Sequence, residues 1–126
     1  MNNETPDEAA INSPAEDGST AVADAPAPAD AVRAVVQANG VLVAAQSLGA
    51  TSSTRLAVGT YQVCFNVVVT RGTYLATVGL PGNTGTPPTG EITVTGRAGT
   101  TNCLFLQTFN SAGALADRSF HVVVVR

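Results

Sequence analysis

Between Gly59 and Arg71 the chain alternates at a period of two. Tyr61, Val63, Phe65 and Val67 share one side, and Gln62, Cys64, Asn66 and Val68 share the other. A wholly apolar side opposite a mixed one is the pattern of a strand with core on one face and partial cover on the other. The same period recurs downstream. Glu91–Thr95 puts Ile92 and Val94 on one face and Glu91, Thr93 and Thr95 on the other, as in a strand with one wet face. Thr73–Val78 reads as a strand after the Arg71-Gly72 turn. Asn102–Phe109 is apolar on both faces and therefore central, and Ser119–Val125 closes the chain as a buried strand.

Upstream, Val32–Gln37 and Val41–Gln46 read as two strands joined by Asn39-Gly40, a dipeptide that tolerates positive φ. A helix over 30–48 competes for this alanine-rich stretch, and Asn-Gly at its middle argues against it. Gly49–Thr54 reads as a small-residue loop and Arg55–Val58 as a short strand. Seven or eight short strands, divided by Gly, Asn and Pro turns and by no helix, predict an all-β fold. The architecture is an antiparallel β-sandwich of jelly-roll or Ig-like type, or a small barrel. Leu80–Gly90, with Pro81, Pro87 and Pro88, is the longest irregular stretch after residue 31. Exposed loops concentrate binding, so Asn83, Thr84, Thr86 and Thr89 are the candidate contact residues.

Charge divides the chain in two. Residues 1–30 carry seven acids and no base, whereas residues 31–126 carry six arginines, two acids (Glu91 and Asp117) and no lysine. Residues 1–31 thus read as a disordered or extended acidic Ala/Pro-rich arm or linker, and 32–126 as one β-domain. The arm is either a solvated tether or a segment that docks on a basic surface of its own or a neighbouring chain. Six scattered arginines without an aromatic platform argue against a nucleic-acid partner. No apolar run is long enough to span a membrane. Residues 1–15 lack the charged and apolar regions of a signal peptide, which leaves a cytoplasmic location open.

Few residues could carry chemistry. Cys64 and Cys103 fall in strands and could form a disulfide if the protein is exported, or remain two buried thiols in the cytosol. One histidine and two lone cysteines make no metal set. Asp117, Ser119 and His121 would share one face of a strand and suggest nucleophilic catalysis. At about 6.6 Å between alternate residues a direct Ser–His hydrogen bond is out of reach. Only Glu91 and Asp117 could pair as acid and base, and no phosphate loop precedes a helix. These absences point away from an enzyme and from a cofactor.

Several runs resemble a small β-domain of uncharacterised bacterial proteins, found also at the C-terminal ends of phage-tail-fibre-like and surface proteins. They are Ala38–Ala44, Thr51–Leu56, Gly59–Asn66, Tyr74–Gly79 and, above all, Phe109–His121. In the last, Asp117 and Arg118 read as a structural corner before the final strand. The resemblance implies a β-fold and a role in display or assembly, with a homo-oligomer or other subunits as partners and an extracellular or virion-associated location. Related sequences often place cysteines near Gly72 and at the chain end, where this chain has Thr73 and Arg126. By that resemblance, a disulfide within this chain has to join Cys64 to Cys103.

Overall fold

A computed structural model describes residues 31–126; residues 1–30 of the acidic arm lie outside the described residues, and Ala31, expected in the arm, opens the first strand. Seven strands form two open antiparallel sheets. They are β1 (Ala31–Val36), β2 (Ala50–Ala57), β3 (Thr60–Phe65), β4 (Thr73–Val78), β5 (Glu91–Gly96), β6 (Cys103–Phe109) and β7 (Phe120–Val125). One sheet has the order β1-β7-β4 and the other β2-β3-β6-β5. The fold is a sandwich, and a single 3-10 turn at Ala44–Gln46 is its one helical element among the described residues.

The period of two decides what lies between the layers. Val32, Ala34 and Val36 from β1, with Phe120, Val122 and Val124 from β7, face Tyr61, Val63 and Phe65 from β3 and Leu104 and Leu106 from β6. Ile92 and Val94, as expected, are the inward side chains of β5. Aliphatic side chains fill most of this core, and Tyr61 meets Phe120 edge to face with ring centres 5.1 Å apart. Such aromatic pairs add about 0.5–1.5 kcal/mol beyond the area they bury.

Three expected elements differ. The organising strand ends at Phe65 rather than Arg71. Beyond it the chain leaves its sheet: Asn66 N–H bonds to the Gly49 carbonyl and Val69 N–H to that of Thr101. Val69 is fully buried, so the apolar run continues as a crossing between layers rather than as a strand. Val41–Gln46 is not a returning strand. It makes one bridge, Val36 to Leu42, and then coils through the 3-10 turn along the outer side of β1. Val43 N–H bonds to Val35 O, and Arg33 and Leu48 exchange backbone hydrogen bonds, so this segment covers the β1 edge. The Asn39-Gly40 turn forms as expected, with Gly40 at φ 93°. Lastly, Gly49–Thr54 is not a loop but mostly part of β2, at eight residues the longest strand. Its Thr-Ser-Ser-Thr run lacks an apolar period because β2 is an edge strand with little cover on either face.

Candidate functional site

The sheet register places Cys64 of β3 directly opposite Cys103 of β6. Val63 and Leu104, the neighbouring pair, point into the core, so the two sulfurs project from the outer face of the four-stranded sheet. They are joined in a disulfide. Asn102 Nδ2 donates to Phe65 O at 2.9 Å and Phe65 N–H to Asn102 O at 2.8 Å, which holds the two strands together just beyond the cross-link.

Asp117 and Arg118 lie in the segment that leads into β7. The Gly59 N–H donates to Asp117 Oδ1 at 2.8 Å, and Arg55 Nε lies 3.0 Å from both carboxylate oxygens. The Arg55 guanidinium first, then the Gly59 N–H, hold the Asp117 carboxyl below its ordinary range. The buried Tyr61 phenol donates to Ala38 O at 2.7 Å, and Asp117 Oδ1 is 3.4 Å away. Burial, and then the Asp117 charge, push the Tyr61 phenol up. Arg118 donates from Nε to Thr89 O at 3.1 Å. Asp117 therefore ties the β2–β3 hairpin to the segment before β7, and Arg118 ties the 80–90 loop to it.

Gly59 shows why the hairpin closes there. Its φ is +58°, and a Cβ would lie 2.5 Å from Thr108 O and 2.9 Å from Ala116 N. Only glycine admits this approach without strain.

Asp117, Ser119 and His121 are each committed elsewhere. Ser119 Oγ donates to Val36 O at 2.8 Å, and His121 Nε2 lies 3.0 Å from Leu80 O. A carbonyl only accepts, so that histidine nitrogen carries the proton. The 80–90 segment is a loop, with Gly82–Thr89 exposed. Gly82 N–H bonds to Gln46 Oε1 at 2.9 Å, and the Thr89 and Ser111 hydroxyls are 2.7 Å apart. Asn83, Thr84 and Thr86 thus sit on an exposed arch pinned near each end.

One surface has no counterpart among the sequence expectations. On the outer face of the three-stranded sheet, register aligns Arg33 with Val123 and Leu75, and the next row Val35 with His121 and Thr77. With Gln46 they line a depression of about 470 Å³. Its signal in sequence was the odd-numbered side of β7 and β4, but only strand order reveals that Arg33 joins them.

Among the described residues no group of three His, Cys, Asp or Glu side chains could hold a metal, and no helix is long and apolar enough to cross a membrane. No family model, curated protein or solved structure matches this chain.

Proposed function

We propose that this chain is a non-enzymatic assembly module, a β-sandwich that associates with further copies of itself in a bacterial surface, fibre or phage-like structure. The observation that carries this reading is the set of open sheet edges at β2, β4 and β5. β2, β4 and β5 each pair on one side only, and of their combined sequence only Arg55 and Glu91 are charged. Proteins that stay monomeric blunt such edges with lysine, proline or covering segments. Here a segment covers the β1 edge by backbone hydrogen bonds, whereas β2 has only Gly40 beside Ser53 and Arg55, and β4 lies near β5 without pairing to it. Leu56, Val58 and Leu75, on or beside these strands, are exposed.

The cross-strand disulfide supports an oxidising destination, outside the cell or on a virion, since cytosolic reductants keep thiols reduced. The partners of Asp117, Ser119 and His121 support a module without catalysis: the Ser119 hydroxyl and the Asp117 carboxylate are spent on holding segments together. A second reading, a module that binds a ligand or receptor, carbohydrates included, is favoured by the pinned, exposed arch at Asn83, Thr84, Thr86 and Thr89.

Sedimentation velocity from micromolar to millimolar protein tests the assembly reading. Concentration-dependent growth in mass is expected, and Thr54→Lys with Thr73→Lys, which charge the β2 and β4 edges, should suppress it. A chain that remains monomeric across the range, with the arm present, overturns it.

A further inference from the structure

The depression on the three-stranded sheet is built differently from the open edges, and its chemistry is one-sided. Val35, Val123 and Leu75 supply an apolar floor, in which Leu75 is 58% exposed, the largest fraction among the exposed large hydrophobic residues. The polar groups around it are mostly occupied. His121 donates to Leu80 O, Gln46 Oε1 accepts from Gly82 N–H, and the Thr77 hydroxyl donates to Val78 O. The exception is Arg33. Its backbone pairs with Leu48, but its guanidinium has no hydrogen bond or carboxylate partner among the described residues. Nor can the described body supply one here. Its two acids are Glu91, on the other sheet, and Asp117, already bound to Arg55. An apolar floor with one forked cation at its rim, unpaired among the described residues, matches a ligand of apolar body and planar anionic head. A volume of about 470 Å³ lies within the range of small-molecule sites.

We propose that this face binds a medium-chain organic carboxylate. The carboxylate sits on the Arg33 guanidinium, and the tail runs across Val123 to Leu75. The register of β1, β7 and β4 places these three residues in one row across the strands. At about 4.8 Å between neighbouring strands the row spans roughly 10 Å. The Gln46–Gly82 hydrogen bond links the 3-10 turn beside β1 to the loop after β4 and fixes the wall at the His121 end. Leu75 stands on the edge strand β4, but this site uses side chains on a face, whereas edge-to-edge assembly uses strand backbone.

Calorimetric titration of the full chain with decanoate tests it. Saturable binding of one equivalent is expected. Arg33→Gln should weaken it about tenfold or more, the loss of one charge-assisted pair. Decanol, which keeps the tail and lacks the charge, should bind more weakly by a similar factor. Leu75→Glu should abolish binding, while Arg71→Gln, outside the depression, should leave it unchanged. Circular dichroism checks that each variant is folded; both Arg33 and Leu75 are exposed. No saturable binding, equal binding by Arg33→Gln, or equal weakening by Arg71→Gln each overturns the proposal. A synthetic peptide of residues 1–30 that displaces the probe at lower concentration than decanoate also overturns it, by reassigning the face to a protein segment.

Discussion

Replacing both cysteines by valine, as C64V/C103V, isolates what the cross-link contributes. The two residues are direct partners on adjacent strands, so the native sheet already brings them together. Any stabilisation then comes mainly from the unfolded chain, in which the bond closes a loop of sequence separation 39. The loop-closure relation gives about 13 cal/mol/K for such a loop, or about 4 kcal/mol at 25 °C. Valine pairs suit a strand and partly refill the space of the sulfurs, which limits any packing loss. The assay is guanidinium unfolding followed by far-UV circular dichroism and tyrosine emission, since the chain has two tyrosines and no tryptophan. A loss of about 4 kcal/mol corresponds to a fall in Tm of roughly 15–30 °C for a body of this size. The slope m should also rise, because an unlinked chain unfolds to a more open ensemble. Wild-type protein under reductant should unfold at the midpoint of the variant. The Asn102–Phe65 hydrogen bonds beside the cross-link should preserve the register, so the reduced protein still folds. A loss below about 1 kcal/mol with m unchanged would refute the loop-closure reasoning.

The Asp117 contacts give a second prediction. Asp117→Ala leaves the Gly59 N–H without its acceptor and should cost about 1–3 kcal/mol in denaturant unfolding. Because the Asp117 carboxyl is held low, its contribution is present above the unfolded value of about pH 4 and is lost as pH falls through the folded value. The acid limb of the stability profile should therefore be shallower in the variant. The Tyr61 phenol is raised, so its contribution holds below about pH 10 and fades as pH rises beyond. Coincident acid limbs in the two proteins would count against the assignment. In Ser119→Ala, the Val36 carbonyl loses its hydroxyl donor; about 1 kcal/mol of stability should go, and a change in decanoate affinity would contradict the separation drawn between that hydroxyl and the outer face.

What the sequence disclosed depended on whether a strand was buried unequally on its two faces. Glu91–Gly96 was readable because core on one side forces a period of two into its side chains, whereas Phe120–Val125 was readable as an apolar run whose outward Val123 hides the alternation in burial. β2 was unreadable for the converse reason: little covers either face, so nothing selects apolar residues at Ala50–Ala57. The false extension of β3 came from Val67-Val68-Val69. There burial is real for Val69, but it serves a crossing between layers. The Val41–Gln46 segment misled through its hairpin signal. The turn forms, and after one bridge the chain follows the β1 edge by scattered hydrogen bonds that no local pattern encodes. Of the candidate sites, the disulfide stood as one of two options until register placed Cys64 opposite Cys103.

The composition of the core also decides where a ligand can bind. A layer filled by Val32, Val36, Val63, Leu104, Leu106, Val122 and Val124, with Tyr61, Phe65 and Phe120 among them, has its side chains packed against one another rather than around a chamber. Close-packed interiors exclude even small guests. Chemistry on this scaffold is thereby displaced to its outside: the edges of β2, β4 and β5, the arch over Asn83–Thr89, and the face that carries Arg33. These surfaces answer to different forces. The edges offer backbone hydrogen bonds and should respond to charged substitutions but little to salt. The Arg33 face offers a single exposed charge, which salt screens over about 8–10 Å at moderate ionic strength. Raising salt should therefore weaken decanoate binding while leaving edge-driven association intact. A joint decline of both would mean that they share one surface.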